Sequence, residues 1–193
     1  MSRDELVVTG ANAAAVALID RWPDWQAPVV VLAGPAGSGK SHLAAIWTEA
    51  AQANAADPRR IGPDAIAAAA SGGAVLVDGV EAGIDETGLF HLINAAREGG
   101  GHVLLTSRRF PAAWGVSLPD LASRLKAATI VEIAEPDDLL LTAVVTKLFA
   151  DRQVQVEPHV VSYIVNRIER SLSAARDVVQ RLAHATLSPK TRI

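Results

Sequence analysis

The residues best suited to chemistry form one glycine-rich run early in the chain, Gly34-Pro35-Ala36-Gly37-Ser38-Gly39-Lys40-Ser41. Glycines in such a loop let consecutive backbone N–H groups approach phosphate oxygens closely. Lys40 would add a positive charge for the outer phosphates, and the Ser41 hydroxyl would bind Mg²⁺. An apolar run at 29–33 precedes the loop and a helical pattern follows it. In this context the motif predicts a Walker A loop that binds a nucleotide at the start of a helix.

A carboxylate suited to the metal, Asp78, ends the apolar run Ala74-Val75-Leu76-Val77. In proteins with a phosphate-binding loop, the strand carrying this aspartate lies near the first strand, so Asp78 would face Ser41 and hold Mg²⁺ through water. An Asp that ends a strand is otherwise often a turn former or a helix cap. The loop upstream favours the metal role, known as Walker B.

The residue after Asp78 is Gly79, where many proteins with such loops carry a second acid that orients the attacking water. A positioned general base contributes roughly 10²- to 10⁴-fold to rate. We therefore expect slow hydrolysis at this site. Glu81, two residues further on, is either a substitute base or a solvated side chain.

The elements that position these residues alternate between strand and helix. Short apolar runs bounded by turns suit strands buried on both faces of a parallel sheet. Predicted strands are 29–33, 74–77, 103–106 and 129–133, with a further short one at 59–61. Predicted helices are 13–20, 40–53, 63–70 and 86–98. This alternation predicts a three-layer α/β domain with a parallel sheet.

The pattern changes after Glu135 and Pro136. From residue 137 onward, apolar residues recur at intervals of three and four, which is typical of helices with one buried face. Pro136 and Pro158 stand where the first turn of a helix tolerates proline. The sequence therefore predicts an α/β domain over residues 1–134 and a small helical lid of about three helices over residues 135–193.

Composition excludes several classes of protein. The 193 residues include no cysteine, so there are no disulfides or thiolate metal sites, and the five histidines lack ligand spacing. A net charge of −3 and few basic residues near the end argue against sequence-specific DNA binding. No apolar run reaches the roughly 18 residues of a membrane span, and no signal peptide is visible. A cytoplasmic location is expected.

With these motifs in order, the chain resembles the AAA+ ATPases, in particular the DnaA-like branch and its Hda group of replication regulators. The matching segments are the loop with its continuation His42-Leu43-Ala44, Val77-Asp78-Gly79-Val80-Glu81 at Walker B, residues 104–111 at sensor 1, and Leu118-Pro119-Asp120-Leu121-Ala122-Ser123-Arg124-Leu125. The last is the most specific, because in the family it carries the arginine finger. The resemblance covers nearly the whole chain and implies a P-loop AAA+ domain followed by a helical lid.

The resemblance also implies individual roles. Arg124 would reach the nucleotide of a neighbouring subunit, since a guanidinium offers a planar fork of donors to phosphate oxygens; the alternative is a surface arginine in a weak ion pair. Val8 and Asn12 fall in the stretch that cups adenine in DnaA-like proteins. Asn12 is alternatively the N-cap of the helix at 13–20.

The sensor positions depart from the family. Thr106 and Ser107 are both candidates for sensor 1, and Arg108 stands where DnaA-like proteins often have an acid. At sensor 2, Ser173 occupies the place of the usual arginine. Arg176, one turn later, either takes over that role or is an exposed helical arginine.

The function implied by the resemblance is that of a nucleotide switch. ADP or ATP would bind with Mg²⁺, and Arg124 would stimulate hydrolysis of ATP bound to a DnaA-type initiator, while the chain itself would be at most a weak ATPase. The alternatives are a stand-alone P-loop ATPase and a replication-loader-type ATPase acting without DnaA. The clamp-binding motif of Hda members is not visible in residues 1–8, so the chain either begins late or does not dock on the sliding clamp in that way. Homodimer formation stays open.

Overall fold

The computed structural model describes residues 6–187 and contains one parallel sheet of five strands. The strands are β1 Val29–Ala33, β2 Asn54–Ala56, β3 Ala74–Val80, β4 His102–Ser107 and β5 Thr129–Glu132, in the spatial order β2-β3-β4-β1-β5. Every residue of β1 is buried. An unbroken apolar strand of this kind needs cover on both faces of the sheet, and helices provide it.

Within residues 6–187, eight α-helices surround or follow the sheet. They are α1 Ala13–Asp20, α2 Lys40–Ala51, α3 Pro63–Ala70, α4 Glu86–Gly99, α5 Pro119–Lys126, α6 Asp138–Ala150, α7 Pro158–Val165 and α8 Leu172–Leu187. Alternate strand residues face opposite sides: Val29 and Val31 pack with helices α3, α4 and α5, whereas Val30 and Leu32 pack with α1 and α2. The three-layer α/β fold predicted from the sequence is confirmed.

One predicted strand is wrong. Residues 59–61 form no strand, and only an isolated antiparallel bridge joins Asp57 to Arg60. The additional strand is instead β2, which forms one edge of the sheet and pairs with β3 in parallel. Its residues are Asn and two Ala, mostly exposed, so it carries neither the β-branched residues nor the buried run by which a strand is recognised in a sequence.

The last three helices have a core of their own. It is made of residues from α6, α7 and α8, including Leu141, Phe149, Val161 and Val179. The Asp137 side chain caps α6 by accepting a hydrogen bond from the Leu140 N–H at 2.7 Å, which satisfies one of the donors left unpaired at a helix start. The assignment of residues 135–193 to a separate lid subdomain stays a prediction. Residues 188–193 lie outside the part of the chain that the structure describes.

Within residues 6–187, no helix combines the length and the apolar character needed to cross a membrane.

Candidate nucleotide-binding site

The predicted phosphate loop lies between the end of β1 and the start of α2, against the neighbouring strand β4. The Gly34 N–H donates to the Ser107 carbonyl at 3.1 Å, which fixes the first residue of the loop to the sheet. The Lys40 ammonium donates to the carbonyls of Gly34 and Pro35, both at 2.6 Å, and to the Ser38 hydroxyl at 3.2 Å. The lysine is therefore held across the loop, where it can contact a phosphate bound there.

Lys40 is buried, so an anion next to it would stabilise its charged form. The residue is only 8% exposed. Its pKa lies below the ordinary value, first because burial disfavours the charged form and second because Arg108 is nearby, while the Asp78 carboxylate acts in the opposite direction. A phosphate in the loop would compensate the positive charge of both cations.

Helix α8 begins next to the loop, at Gly37. The Leu172 N–H donates to the Gly37 carbonyl at 2.8 Å. Gly37 has a φ of +73°, and a Cβ on it would collide with the Ser171 side chain. Both facts require glycine at this position, so the loop and the start of α8 are in direct backbone contact.

The two predicted magnesium ligands lie next to each other. The Ser41 hydroxyl is 3.4 and 3.5 Å from the two carboxylate oxygens of Asp78. Within the described residues, no three His, Cys, Asp or Glu side chains cluster as a metal site. That is compatible with Mg²⁺, which usually takes one or two carboxylates together with phosphates and waters. Ser41 and Asp78 thus fit the ion, which would neutralise phosphate charge there.

The two candidates for sensor 1 differ in their contacts. The Thr106 hydroxyl donates to the Asp78 carboxylate and accepts from the Gly79 N–H at 2.8 Å. The Ser107 hydroxyl instead accepts from the Trp114 indole at 2.8 Å and from the Arg109 N–H at 3.2 Å. Thr106 therefore orients the carboxylate of the site, whereas Ser107 anchors the loop that follows β4.

Gly79 has a conformational role that the sequence did not indicate. The pairing of β3 with β4 shifts register between Val77 and Val80, which is a bulge, and Gly79 adopts a φ of +76° within it. Left-handed backbone disfavours any residue with a Cβ. The bulge directs the Gly79 N–H to Thr106, so a second acid at this position would disturb the arrangement that orients Asp78.

Glu81 forms an ion pair in the structure. One of its oxygens lies 3.3 Å from the Nε atom of Arg108, and both side chains are largely exposed. A role of Glu81 as a general base stays a prediction.

A cleft beside the loop lies between the N-terminal segment, α2 and the helices α6 and α8. Its lining includes four predicted site residues, Asn12, Ser38, Gly39 and His42, and the sensor 2 candidate Arg176. The rest of the lining is the ion pair of Lys147 and Asp151, 3.9 Å long, and seven apolar residues: Leu6, Val7, Leu43, Leu140, Val144, Leu148 and Leu172. A mostly apolar cleft with a few polar groups suits a planar base next to a phosphate site.

The N-terminal contribution differs in detail from the prediction. Val8 is 47% exposed and is not among the residues that line the cleft, whereas Val7 is. Asn12 is the N-cap residue of α1, as predicted, but its side chain makes no capping hydrogen bond to the helix. Its amide instead donates to the Val7 carbonyl and accepts from the Thr9 N–H, each at 2.9 Å, and so folds the segment that borders the cleft.

The contribution of α6 and α8 to the cleft could be predicted only in part from the sequence. The apolar stripe of α6 was recognised, but Leu140, Val144 and Leu148 also line the cleft, and a helical pattern cannot separate core-facing from cleft-facing positions at its border. At sensor 2, the exposed Arg176 lines the cleft, and the Ser173 hydroxyl lies 3.2 Å from that of Ser171.

Arg124 is not among the residues that line this cleft and lies in the last turn of α5. Leu121 and Leu125 bury one face of the helix in the core, and the Glu86 carboxylate accepts hydrogen bonds from the N–H groups of Ser117 and Leu118 just before it. In the described part of the chain, none of the ion pairs includes Arg124. The backbone of the helix is thus fixed, while the guanidinium has no ion-pair partner among residues 6–187.

Comparison with known structures identifies the fold to which this site belongs. The chain matches domain III of the Thermotoga maritima replication initiation protein DnaA at 17% identity and a TM-score of 0.78, covering 98% of this chain and 90% of that one. The replication initiator DnaA bound to AMPPCP and single-stranded DNA matches at 15% identity and a TM-score of 0.80, covering 96% and 64%. The chain has a DnaA-like AAA+ fold.

The same fold occurs in a related motor. The Thermotoga maritima RuvB Holliday junction branch migration motor matches this AAA+ fold at 18% identity and a TM-score of 0.63, covering 95% of this chain. The chain spans 64% of RuvB and of the DnaA complex. Neither the family models nor the curated proteins give a match to the sequence.

Proposed function

We propose that this protein is an adenine-nucleotide-binding AAA+ regulator of DNA replication initiation, related to the Hda group and located in the cytoplasm. It binds ADP or ATP with Mg²⁺, has at most weak ATPase activity, and stimulates hydrolysis of ATP bound to a DnaA-type initiator. The observation that carries the proposal is that Arg124 neither lines the cleft beside the phosphate loop nor takes part in the ion pairs of the described residues.

Binding of the nucleotide is supported by the loop, the paired Ser41 and Asp78, and the apolar cleft. The first N–H groups of α2 have no partner within the helix, and the helix dipole adds a favourable field for phosphate at this end. DnaA has been solved bound to the nucleotide analogue AMPPCP, which agrees with an adenine nucleotide here.

The regulatory role is supported by Gly79 and Glu81, the residues at the positions where a general base for hydrolysis would stand. Gly79 is fixed in a bulge by its positive φ, and the carboxylate of Glu81 pairs with Arg108. Arg124, by contrast, can be offered to a partner. In related phosphoryl-transfer sites an arginine finger contributes roughly 10³- to 10⁵-fold to rate, so the chain would do more for hydrolysis in its partner than in itself.

Nucleotide binding is tested by calorimetry with Mg²⁺-ADP and Mg²⁺-ATP on the wild type and on Lys40→Ala, with Lys126→Ala as an exposed-lysine control. We expect the wild type and the control to bind, and Lys40→Ala to bind at least about 100-fold more weakly, because it loses a buried charge-assisted contact to phosphate. Equal binding by Lys40→Ala would remove the phosphate site.

The regulatory part is tested by mixing the protein with a purified DnaA-type initiator loaded with ATP. Stimulated release of phosphate from the initiator, together with slow turnover by the protein alone, is expected. Brisk turnover by the protein alone and no effect on the initiator would favour a stand-alone ATPase instead.

A further inference from the structure

Strand β5 is an edge of the sheet, and its outer side carries no strand. Within the described residues it pairs only with β1. Directly after the strand, the Ile133 N–H donates to the Ala33 carbonyl of β1 at 2.7 Å. The backbone groups of successive strand residues point to alternate sides of the strand. Those of Ile130 and Glu132 therefore point away from β1.

The next residue with this outward direction is bonded, but the two within the strand are not. The Ala134 N–H donates to the Ala11 carbonyl of the N-terminal segment at 3.0 Å. Among residues 6–187, the N–H groups of Ile130 and Glu132 make no such bond to another segment. An open edge of this kind is a template for a strand from another chain, and two outward residues limit that strand to a short segment.

An apolar groove lies beside the same edge, on the side of the sheet that α5 covers. Val31 pairs with Ile130 and packs with α3, α4 and α5, so the Ile130 side chain lies on that side as well. The groove has a volume of about 340 Å³. Its apolar lining comes from the loop after β4, from α5 and from β5: Pro111, Ala112, Val116, Ala122, Leu125 and Ile130.

Two large apolar side chains in or directly before this lining are exposed. Ile130 is 39% exposed, and Phe110, which precedes Pro111, is 45% exposed. Exposed apolar surface that is continuous marks interaction sites. The groove shares no lining residue with the nucleotide cleft, so the two are separate sites.

The charge at the groove is positive. Among the described residues, Lys126 is the only charged member of the lining. It lies with Arg124 in the last turn of α5, whereas the acid of this helix, Asp120, lies in the first turn. Neither cation takes part in the ion pairs of residues 6–187. A carboxylate on an occupant would therefore be electrostatically complementary to this end of the groove.

We propose that the edge of β5 and the groove form a docking site for an extended, acidic segment of a partner protein. The segment adds a strand to β5 by bonding to the outward backbone groups of Ile130 and Glu132. It inserts an apolar side chain into the groove and places a carboxylate next to Lys126. In this mode of recognition, main-chain hydrogen bonds supply affinity, and pockets for alternate side chains supply specificity.

The test is an NMR titration of the isotope-labelled full chain without nucleotide. The probes are the acetylated and amidated peptide Asp-Glu-Val-Thr-Leu-Thr-Val-Ser-Ser and the peptide of reversed order, which cover both strand directions. We expect at least one to give saturable shifts of the Ile130 and Glu132 amide signals and slower hydrogen exchange at both. Lysine in place of the two acids should weaken binding about tenfold or more, because like charges then meet.

Pairing as a strand is tested by methylation of the peptide backbone. An N-methyl group on the central leucine or on the threonine after it should abolish binding in one case and leave it unchanged in the other. The reason is that alternate N–H groups of an added strand face β5.

The groove is tested with a variant that keeps the strand. Ile130→Thr retains a β-branched residue but loses the apolar contact, so peptide binding should weaken about tenfold or more, the scale of burying one apolar side chain. Leu139→Thr, at a position on α6 that is 70% exposed, is the control and should bind as the wild type does. Thermal unfolding of both variants ensures that folded proteins are compared.

Several outcomes would overturn the docking site. They are the lack of saturable binding by both acidic peptides, equal binding of the lysine versions, equal effects of the two N-methyl groups, and full binding by Ile130→Thr. A dimer in analytical ultracentrifugation, with the Ile130 and Glu132 amides protected before any peptide is added, would assign the edge to a second copy of the chain instead. Because nucleotide is absent throughout, none of these outcomes bears on the nucleotide-binding function.

Discussion

The phosphate end of the sheet, where Lys40 and Asp78 lie, and helix α5, which carries Arg124, are both fixed by hydrogen bonds. They differ in whether the functional side chain itself is held. At the phosphate end, Lys40 is bonded across its loop, and Asp78 is bonded to Thr106. On α5, the bonds from Ser117 and Leu118 to Glu86 fix the backbone, while Arg124 takes part in none of the ion pairs of the described residues.

The difference indicates where each group works. A side chain that is fixed by its own chain is preorganised for a ligand bound within that chain, because no reorganisation is needed when the ligand arrives. A charged side chain on a rigid helix but without an internal ion-pair partner is suited to a ligand that another molecule presents. Substitutions in the two regions can break or sharpen this contrast, and they follow from the largest expected effect to the smallest.

Replacement of Arg124 by Ala should affect only the partner. We expect the stimulated hydrolysis of initiator-bound ATP to fall about 10³-fold or more, the range known for arginine fingers, with nucleotide binding by the variant itself unchanged. Phosphate release is the measurement, and Lys126→Ala, on the same helix, is the control. Undiminished stimulation by Arg124→Ala would contradict the finger assignment.

Thr106→Val should weaken Mg²⁺-dependent nucleotide binding, because it changes the phosphate end of the sheet itself. The variant removes the hydroxyl that donates to Asp78 and accepts from Gly79, and a hydrogen bond to a charged group is worth about 1.5–3 kcal/mol. Mg²⁺-dependent nucleotide affinity should therefore fall about 10- to 100-fold, as measured by titration with and without Mg²⁺.

Ser107→Ala is the comparison for Thr106→Val. It removes an acceptor of the Trp114 indole, which still donates to the Arg109 carbonyl at 2.9 Å. We expect a lower melting temperature and unchanged Mg²⁺ dependence. Equal losses of affinity in both variants would show that the two hydroxyls do not divide their roles as described.

Gly79→Glu should not create a working base. The left-handed backbone at φ +76° should cost about 1–2 kcal/mol of stability for a residue with a Cβ, and the intrinsic hydrolysis rate should stay low. Urea unfolding and phosphate release measure the two effects. Gly83→Glu, at φ +83°, is the matched control for strain away from Asp78; a strong gain of hydrolysis in Gly79→Glu alone would overturn the structural explanation of Gly79.

Glu86→Gln should change how the free energy of unfolding depends on pH in the acid range. Hydrogen bonds from the Ser117 and Leu118 N–H groups hold the pKa of Glu86 below its ordinary value of 4.5. A carboxylate with a lowered folded-state pKa stabilises the fold above that ordinary value, and the contribution is lost as the pH falls through the folded-state pKa. The wild type should thus be the more stable protein at pH 7, and the two unfolding curves should converge in acid. A constant difference at all pH values would show that the charge is not involved.

The sequence by itself determined the fold class and the phosphate loop, since both are written in local patterns. The buried strand β1, the glycines of the loop and the helix that follows at Lys40 are consecutive residues, and their spacing alone requires a strand, a tight turn and a helix start. The edge strand β2 was not predictable, because its short exposed run of Asn and Ala has no local signature.

Only the tertiary structure decided which polar residues belong together at the site. Thr106 and Ser107 are indistinguishable in the sequence, and the bulge in β3 assigns the first to Asp78 and leaves the second to Trp114. The same bulge explains Gly79 through its φ, and the ends of β3 and β4 bring Glu81 to Arg108. The contacts of Thr106 with Asp78 and Gly79, and that of Glu81 with Arg108, join residues 27 or 28 positions apart. They therefore depend on strand register, which is fixed by packing of the whole sheet rather than by any local pattern.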